Sequence, residues 1–355
     1  MYGKLIECAV NAVLRPNEAF VWGLSYEVPL HYGLIDKATL MDQRYSNTMS
    51  EDSFARESLS IWTGNSKDAW LDSKRLNKRR TLLKCERQAI ELPDGAFYEV
   101  GVDVARYSAN TAISVIKVLP NKNGFKKNLI YLEVLHGANY ITDQAPRIKK
   151  IIQLYNPREI VIDGNGPGIG LLDAMVLPSY DKTTGEQFPA YYVFNNDHHL
   201  PPDKKNPTEE PLPDLNAIIY DIKAGSSNDD LIHSNLFAQI NNGTLSLLAN
   251  ERIVKDKLLK TKKGQKMSLY DRRVYLLPYE MTSRLIDELN NLKLKATGIA
   301  NQFKIERISR SIEKDRVSSL EYALYRIKYY EDKAIQKSKK KNFSQYTFFS
   351  PRTRG

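Results

Sequence analysis

The sequence predicts an α/β fold: a mixed β-sheet flanked by helices, preceded by a mostly helical region. Three observations predict it. From Phe97 onward, the runs FYEVGVDVA, TAISVIKVL and NLIYLEVLHG follow one another across short polar turns. Their β-branched and aromatic residues mark strands, and their short connections mark an antiparallel meander. A segment of helical spacing, ITDQAPRIKKIIQLY, then separates the meander from REIVID, a near-continuous apolar run of the kind buried on both faces of a sheet. Finally, 355 residues are enough for one large domain or two ordinary ones with a full core.

Taken in order, residues 1–95 carry all three tryptophans, Trp22, Trp62 and Trp70. They open with KLIECAVNAVL at helical spacing. A second amphipathic helix is expected after YSNTMSEDSFARESLSIWTG begins, with Ser50 and Ser53 as caps. The basic run SKRLNKRRTLLKCERQ reads as a solvated linker. After the four strands, a helix is expected from about Gly168 to Val176 and a fifth strand at AYYVFN. The loop DHHLPPDKKNPTEEPLP follows, rich in proline and charge. Helices are then expected near 214–223 and 228–242, a turn at NNG, and a hairpin or open loop over RIVKDKLLKTKKGQKM. Next come a helix over EMTSRLIDELNNLKLK, a strand over QFKIERISR, and a last helix over KDRVSSLEYALYRIKYYEDK with Val317, Leu320, Leu324 and Ile327 on its apolar face. The basic tail, 334–355, reads as flexible. This order of strands and helices is that of a ribonuclease H-like domain over 96–333, whereas a dinucleotide-binding domain opens strand-helix-strand.

Composition narrows the function classes. The formal charge of +10 favours a polyanionic partner. Cys8 and Cys85 provide neither a disulfide framework nor zinc-ligand spacing. No apolar run reaches the roughly 18 residues of a membrane span.

The chemistry rests on aspartates. Asp103 stands inside the first strand of the meander, where a carboxylate is costly to bury without a partner. Asp163 ends the strand EIVID and faces a loop with glycines at 164, 166, 168 and 170. Asp315 opens the last helix, where a capping role is the ordinary account. Each alone has such an account: a strand-end aspartate, a turn aspartate, a cap. Together they differ, because the first and fourth strands of this order lie side by side, and a final helix packed on them brings in the third carboxylate. Three oxygen ligands without His or Cys suit Mg²⁺ or Mn²⁺, and two such ions about 4 Å apart can serve phosphodiester hydrolysis.

The stretches FYEVGVDVARYSANTAISVI, EIVIDGNGPGIGLLDAM and KDRVSSLEYALY, in this order, resemble the nuclease domain of tailed-bacteriophage terminase large subunits. The upstream HYGLIDKATL and SEDSFARESLSIWTG resemble the segment joining that family's ATPase to its nuclease. The resemblance implies a metal-dependent endonuclease that cuts concatemeric double-stranded viral DNA during packaging, with Asp103, Asp163 and Asp315 holding two divalent ions. It also implies partners (an ATPase part, a small terminase subunit and a portal protein) and a place of action in the host cytoplasm at the procapsid portal, not in a membrane. Two departures stand out. Related sites often carry another acid three positions into the last helix, where this chain has Ser318, so Glu313 or a water is a candidate to complete the shell. The phosphate-binding pattern GxxxxGK[ST] is missing, so no ATPase activity is expected from this chain alone, which reads as a C-terminal part with residues 1–95 as an ATPase remnant and linker.

Other readings stay open. A non-catalytic DNA- or portal-docking module accounts for the missing second helix acid, and nucleotide binding at the glycine loop is disfavoured by the strand order. Arg106 and Tyr107 are candidates for a scissile phosphate. Lys260, Lys262 and Lys263, within the basic stretch from Lys255 to Lys266, are candidates for the DNA backbone. His198, His199 and Asp173 read as solvated surface residues.

Overall fold

The computed structural model describes residues 26–39, 69–105, 110–122, 124–135, 141–225, 228–296, 303–309 and 311–346. The expected helices near residues 4–14 and 50–62, with their caps Ser50 and Ser53, lie outside the described residues, as do Trp22 and Trp62. An isolated helical turn, Glu27–His31, buries none of its side chains. The packed body begins at Trp70 and Leu71, both buried, and at helix α1 (Ser73–Lys78), which Asp72 caps by accepting the Lys74 N–H.

The elements then follow as β1 (Arg80–Leu82), β2 (Phe97–Asp103), β3 (Thr111–Asn121), β4 (Gly124–Leu135), α2 (Ile141–Tyr155), β5 (Glu159–Ile162) and α3 (Pro167–Met175). After them come β6 (Ser179–Tyr180), β7 (Gln187–Phe188), β8 (Tyr192–Val193), β9 (Ala217–Asp221), α4 (Asp229–Asn242) and β10 (Leu245–Leu248). The chain closes with α5 (Glu251–Leu259), α6 (Lys262–Lys266), α7 (Leu269–Asn290), β11 (Leu292–Ala296), β12 (Phe303–Arg307) and α8 (Asp315–Tyr346). Among the described residues no helix is long and apolar enough to cross a membrane.

Eight strands form one sheet in the order β1-β10-β4-β3-β2-β5-β9-β8. Its centre is the antiparallel meander β2-β3-β4, continued by β5 and β9 parallel to β2. This is the ribonuclease H-like arrangement that the sequence predicts. Strand β10 runs parallel to β4, and therefore parallel to β2.

Several expectations are corrected. Residues 217–221, expected within a helix, form β9 between β5 and β8; AIIYD is a short apolar run with β-branched residues, and burial in the sheet overrides a helical reading. The strand expected at AYYVFN shrinks to Tyr192–Val193 at the sheet edge, because Asn195 substitutes for backbone: its Nδ2 donates to the Asp221 carbonyl at 2.9 Å and its Oδ1 accepts the Asp221 N–H at 2.8 Å. The basic stretch expected as a hairpin or loop is the helices α5 and α6, capped by Asn250 and Thr261. Helix α8 also extends past 333, through the start of the basic tail, to Tyr346.

Helices cover both faces. On one, Ile148, Ile151, Ile152, Leu171, Leu172 and Met175 of α2 and α3 pack on Val100, Val102, Ile113, Ile160 and Ile162. On the other, Val317, Leu320, Ala323 and Leu324 of α8, with Leu285 and Leu289 of α7 and Leu236 and Ile240 of α4, cover Ala112, Ile116, Leu129 and Leu132. Each such branched side chain stabilises the fold by roughly 1.5–3 kcal/mol when fully buried.

Candidate active site

Strand side chains alternate between faces, and this alternation builds the site. In β2, Tyr98, Val100 and Val102 face α2 and α3, so Glu99, Gly101 and Asp103 face α8. In β5, Ile160 and Ile162 face α2, so Glu159, Val161 and the next residue, Asp163, face α8. The two strands pair Glu99 with Glu159 and Gly101 with Val161. Two carboxylate pairs therefore line α8, one at the start of the strands and one at their ends.

The first pair has a cation. Arg326 of α8 donates Nε to Glu159 Oε1 at 2.5 Å and Nη2 to Oε2 at 3.1 Å, while the Tyr330 hydroxyl donates to Oε2 at 2.6 Å. Glu99 and Glu159 are fully buried. The second pair meets the other end of α8, where the residues facing it are Asp315, Ser318 and Tyr322, and none is cationic. Tyr322 donates its hydroxyl to Asp163 Oδ2 at 3.3 Å, and Ser318 hydrogen-bonds Asp103. The position where a further acid was a family expectation thus carries a hydroxyl that steadies the first aspartate.

Asp103 senses both of the other aspartates. Burial holds the Asp103 carboxyl well above the usual range, and the Asp315 and Asp163 carboxylates push it further, with Lys314 and Ser318 opposing. Asp163 is raised by burial, against the N–H groups of Asn165 and Ala224, which reach its Oδ1 at 3.1 and 3.2 Å. Asp315 is raised by burial and then by Glu313, and its Oδ2 is buried with no hydrogen-bond partner among the described residues. Glu313 lies close but is engaged, accepting from Asn110 Nδ2 at 2.9 Å. A buried carboxylate raised by two neighbouring carboxylates, one of which has an orphaned oxygen, marks a candidate cation site.

The donor set fits a hard divalent cation: all oxygens, no His, no Cys. Among the described residues, no three His, Cys, Asp or Glu side chains form a ready-made metal cage. That is compatible with Mg²⁺, which keeps waters and binds through one or two carboxylates together with substrate phosphates.

Asp221, at the end of β9, is a residue the sequence reading missed. It is 5% exposed, its Oδ1 accepts the Gly164 N–H at 3.1 Å, and its Oδ2 accepts from Asn196 Nδ2 at 2.7 Å. It thereby fixes the turn that follows Asp163. The contact explains the first glycine of the loop: a Cβ on Gly164 would lie 2.2 Å from Asp221 Oδ1. The available signal was the form of AIIYD, an apolar run ending in aspartate, as EIVID is. Asp221 also lines a cavity of about 320 Å³ with Asn195, Asn196, His198, Tyr220 and Lys223.

Of the other candidates, Arg106 and Tyr107 lie outside the described residues. Lys260, Lys262 and Lys263 are exposed at the junction of α5 and α6. His199 and Asp173 pair with each other on the surface at 2.8 Å. Beside Asp315, Lys314 approaches the buried Glu321 at 3.6 Å, and His233 Nδ1 meets the same carboxylate at 2.7 Å.

No protein-family model matches the sequence, and no curated protein matches it. Among solved structures, the large terminase nuclease from thermophilic phage G20c, with bound magnesium, is 15% identical, over 73% of this chain and 97% of that one, with a TM-score of 0.41. The large terminase nuclease domain of Thermus phage P74-26 is 18% identical, over 71% of this chain and 92% of that one, with a TM-score of 0.38. The manganese-soaked terminase nuclease domain of human cytomegalovirus is 12% identical, over 71% and 92%, with a TM-score of 0.39.

Proposed function

We propose that this chain is a divalent-metal-dependent endonuclease of the terminase large-subunit type, cutting concatemeric double-stranded DNA during viral genome packaging. One observation carries the proposal: of two carboxylate pairs built alike on β2 and β5, one has Arg326 bound to Glu159, while in the other Asp103 feels both Asp163 and a third carboxylate, Asp315. Asp103, Asp163 and Asp315 are the groups that would hold Mg²⁺ or Mn²⁺, as a pair of ions. When bound, such a pair activates a water and stabilises the leaving oxygen of a phosphodiester.

The protein's own residues do the rest. Tyr322 and the N–H groups of Asn165 and Ala224 orient Asp163. Asp221 fixes the turn beside it, and Ser318 orients Asp103. Lys260, Lys262 and Lys263 fit the phosphate backbone, whose neutralisation supplies most non-specific DNA affinity. In this reading the terminase ATPase drives translocation, a small terminase subunit and a portal protein are the other partners, and cutting occurs at the procapsid portal in the host cytoplasm.

Incubation of the protein with plasmid DNA and Mn²⁺ tests this. Nicked and linear products are expected from the wild type and none from Asp163→Ala; a wild type that does not cut, or a variant that cuts equally well, refutes the catalytic reading. Gly164→Ala, which drives a Cβ into Asp221, is expected to slow cleavage at least about tenfold, the usual cost of disturbing groups that orient a metal ligand. The lack of a ready-made cage among the described residues favours a second reading, a DNA- or portal-docking module. It predicts salt-sensitive DNA binding that survives loss of all three aspartates, with no metal-dependent cutting.

A further inference from the structure

Helix α8 begins at Asp315, and its first intrahelical bond runs from the Ser318 N–H to the Lys314 carbonyl at 2.9 Å. Lys314 is therefore its N-cap, a position where Ser, Thr, Asp or Asn ordinarily accepts the N–H groups of the first turn. A lysine side chain has donors only, so this helix cannot cap itself. The missing acceptor comes from α7. Glu288, 2% exposed, accepts the Arg316 N–H at 3.0 Å and the Val317 N–H at 3.1 Å through Oε2, and its Oε1 pairs with the Arg316 guanidinium, itself 4% exposed. Three charge-assisted contacts thus converge on the two residues that follow Asp315. The stretch of chain leading into α8 is tied down by the same end of α7: Asn291 donates Nδ2 to the Ser309 carbonyl at 2.8 Å and accepts the Ser309 N–H at 2.8 Å.

We propose that Glu288 is a positioning residue for the active site: a cap supplied in trans by α7 that locks the first turn of α8 and thereby holds the Asp315 carboxylate toward Asp103. The inference rests on the nuclease reading for its consequence, but the clamp itself does not. The N–H groups of Arg316 and Val317 point at a carboxylate on another helix, and the helix dipole adds to the attraction. Glu288 touches no substrate. Its effect passes through Asp315, the residue whose Oδ2 has no partner of its own among the described residues.

The test compares Glu288→Ala and Glu288→Gln with the wild type. Amide hydrogen exchange at Arg316 and Val317 is expected to accelerate at least about tenfold in Glu288→Ala and less in Glu288→Gln, which keeps an acceptor but loses its charge. In plasmid cleavage, the Mn²⁺ concentration for half-maximal rate is expected to rise about 10- to 100-fold in Glu288→Ala, with DNA affinity unchanged. A general loss of structure would instead weaken DNA binding and broaden exchange across α8. Wild-type exchange at the two amides together with a wild-type Mn²⁺ requirement in Glu288→Ala overturns the proposal. If that variant does not fold, the same pair of results in Glu288→Gln overturns it. If the wild-type protein does not cut DNA, the nuclease reading fails by itself, and exchange at Arg316 and Val317 still decides whether Glu288 caps α8.

Discussion

Arg326→Met is expected to lower the unfolding free energy by about 3–5 kcal/mol, the cost of removing one partner from a buried ion pair. Glu99 and Glu159 are fully buried on adjacent strands, and Arg326, 3% exposed, is the guanidinium that meets Glu159 with two nitrogens. Methionine preserves much of the volume, so the loss reads out charge rather than a cavity. Urea unfolding followed by circular dichroism measures it, and a change under 1 kcal/mol would sink the argument.

The loss should also depend on pH. Burial, and then the neighbouring Glu159 carboxylate, hold the Glu99 carboxyl well above its ordinary value of 4.5. A carboxyl raised on folding binds its proton more tightly in the native state, so its contribution is fully present below 4.5 and fades as pH climbs through the raised value. The wild type therefore loses stability from mildly acidic toward alkaline pH on account of this group, and Arg326→Met is expected to fare worse at pH 8 than at pH 5. Glu99→Gln replaces the protonated acid with a neutral amide and should flatten that slope. An unchanged slope in Glu99→Gln would assign the pH dependence elsewhere.

Gly101→Val should be the other severe substitution. Helix α8 crosses β2 at this glycine so closely that a Cβ would lie 1.9 Å from the Ser319 carbonyl oxygen and 2.9 Å from the Ala323 nitrogen, both backbone atoms that cannot swing away. Overpacking of this kind costs about 1–3 kcal/mol, occasionally more. The helix must lift from the sheet, which separates Asp315 from Asp103. We expect reduced stability together with cleavage lowered more than stability alone explains, measured by urea unfolding and by plasmid cutting at saturating Mn²⁺. Full activity in a folded Gly101→Val would mean that the helix contributes nothing to the site.

The meander, the helix α2, the buried strand ending in Asp163 and the last helix were all readable from local pattern, because period-2 and period-3.6 spacing are properties of neighbours in sequence. So was the rule that puts Glu99, Gly101 and Asp103 on one face of β2. Strand β9 was not readable. Four apolar residues do not distinguish a strand from a buried helical turn by periodicity, so Asp221 stayed hidden until the sheet placed it beside Gly164.

Ser318 could be noted as a departure from a family pattern, yet only its contact with Asp103 shows what it does. The sequence by itself determined which carboxylates are available and which face of each strand carries them. Tertiary structure decided their partners: Arg326 for Glu159, the charge of Asp315 beside Asp103, and Glu288 for the start of the helix that carries Asp315. Those assignments depend on where α7 and α8 cross the sheet, and contacts between residues 28 to 167 positions apart leave no local spacing to read.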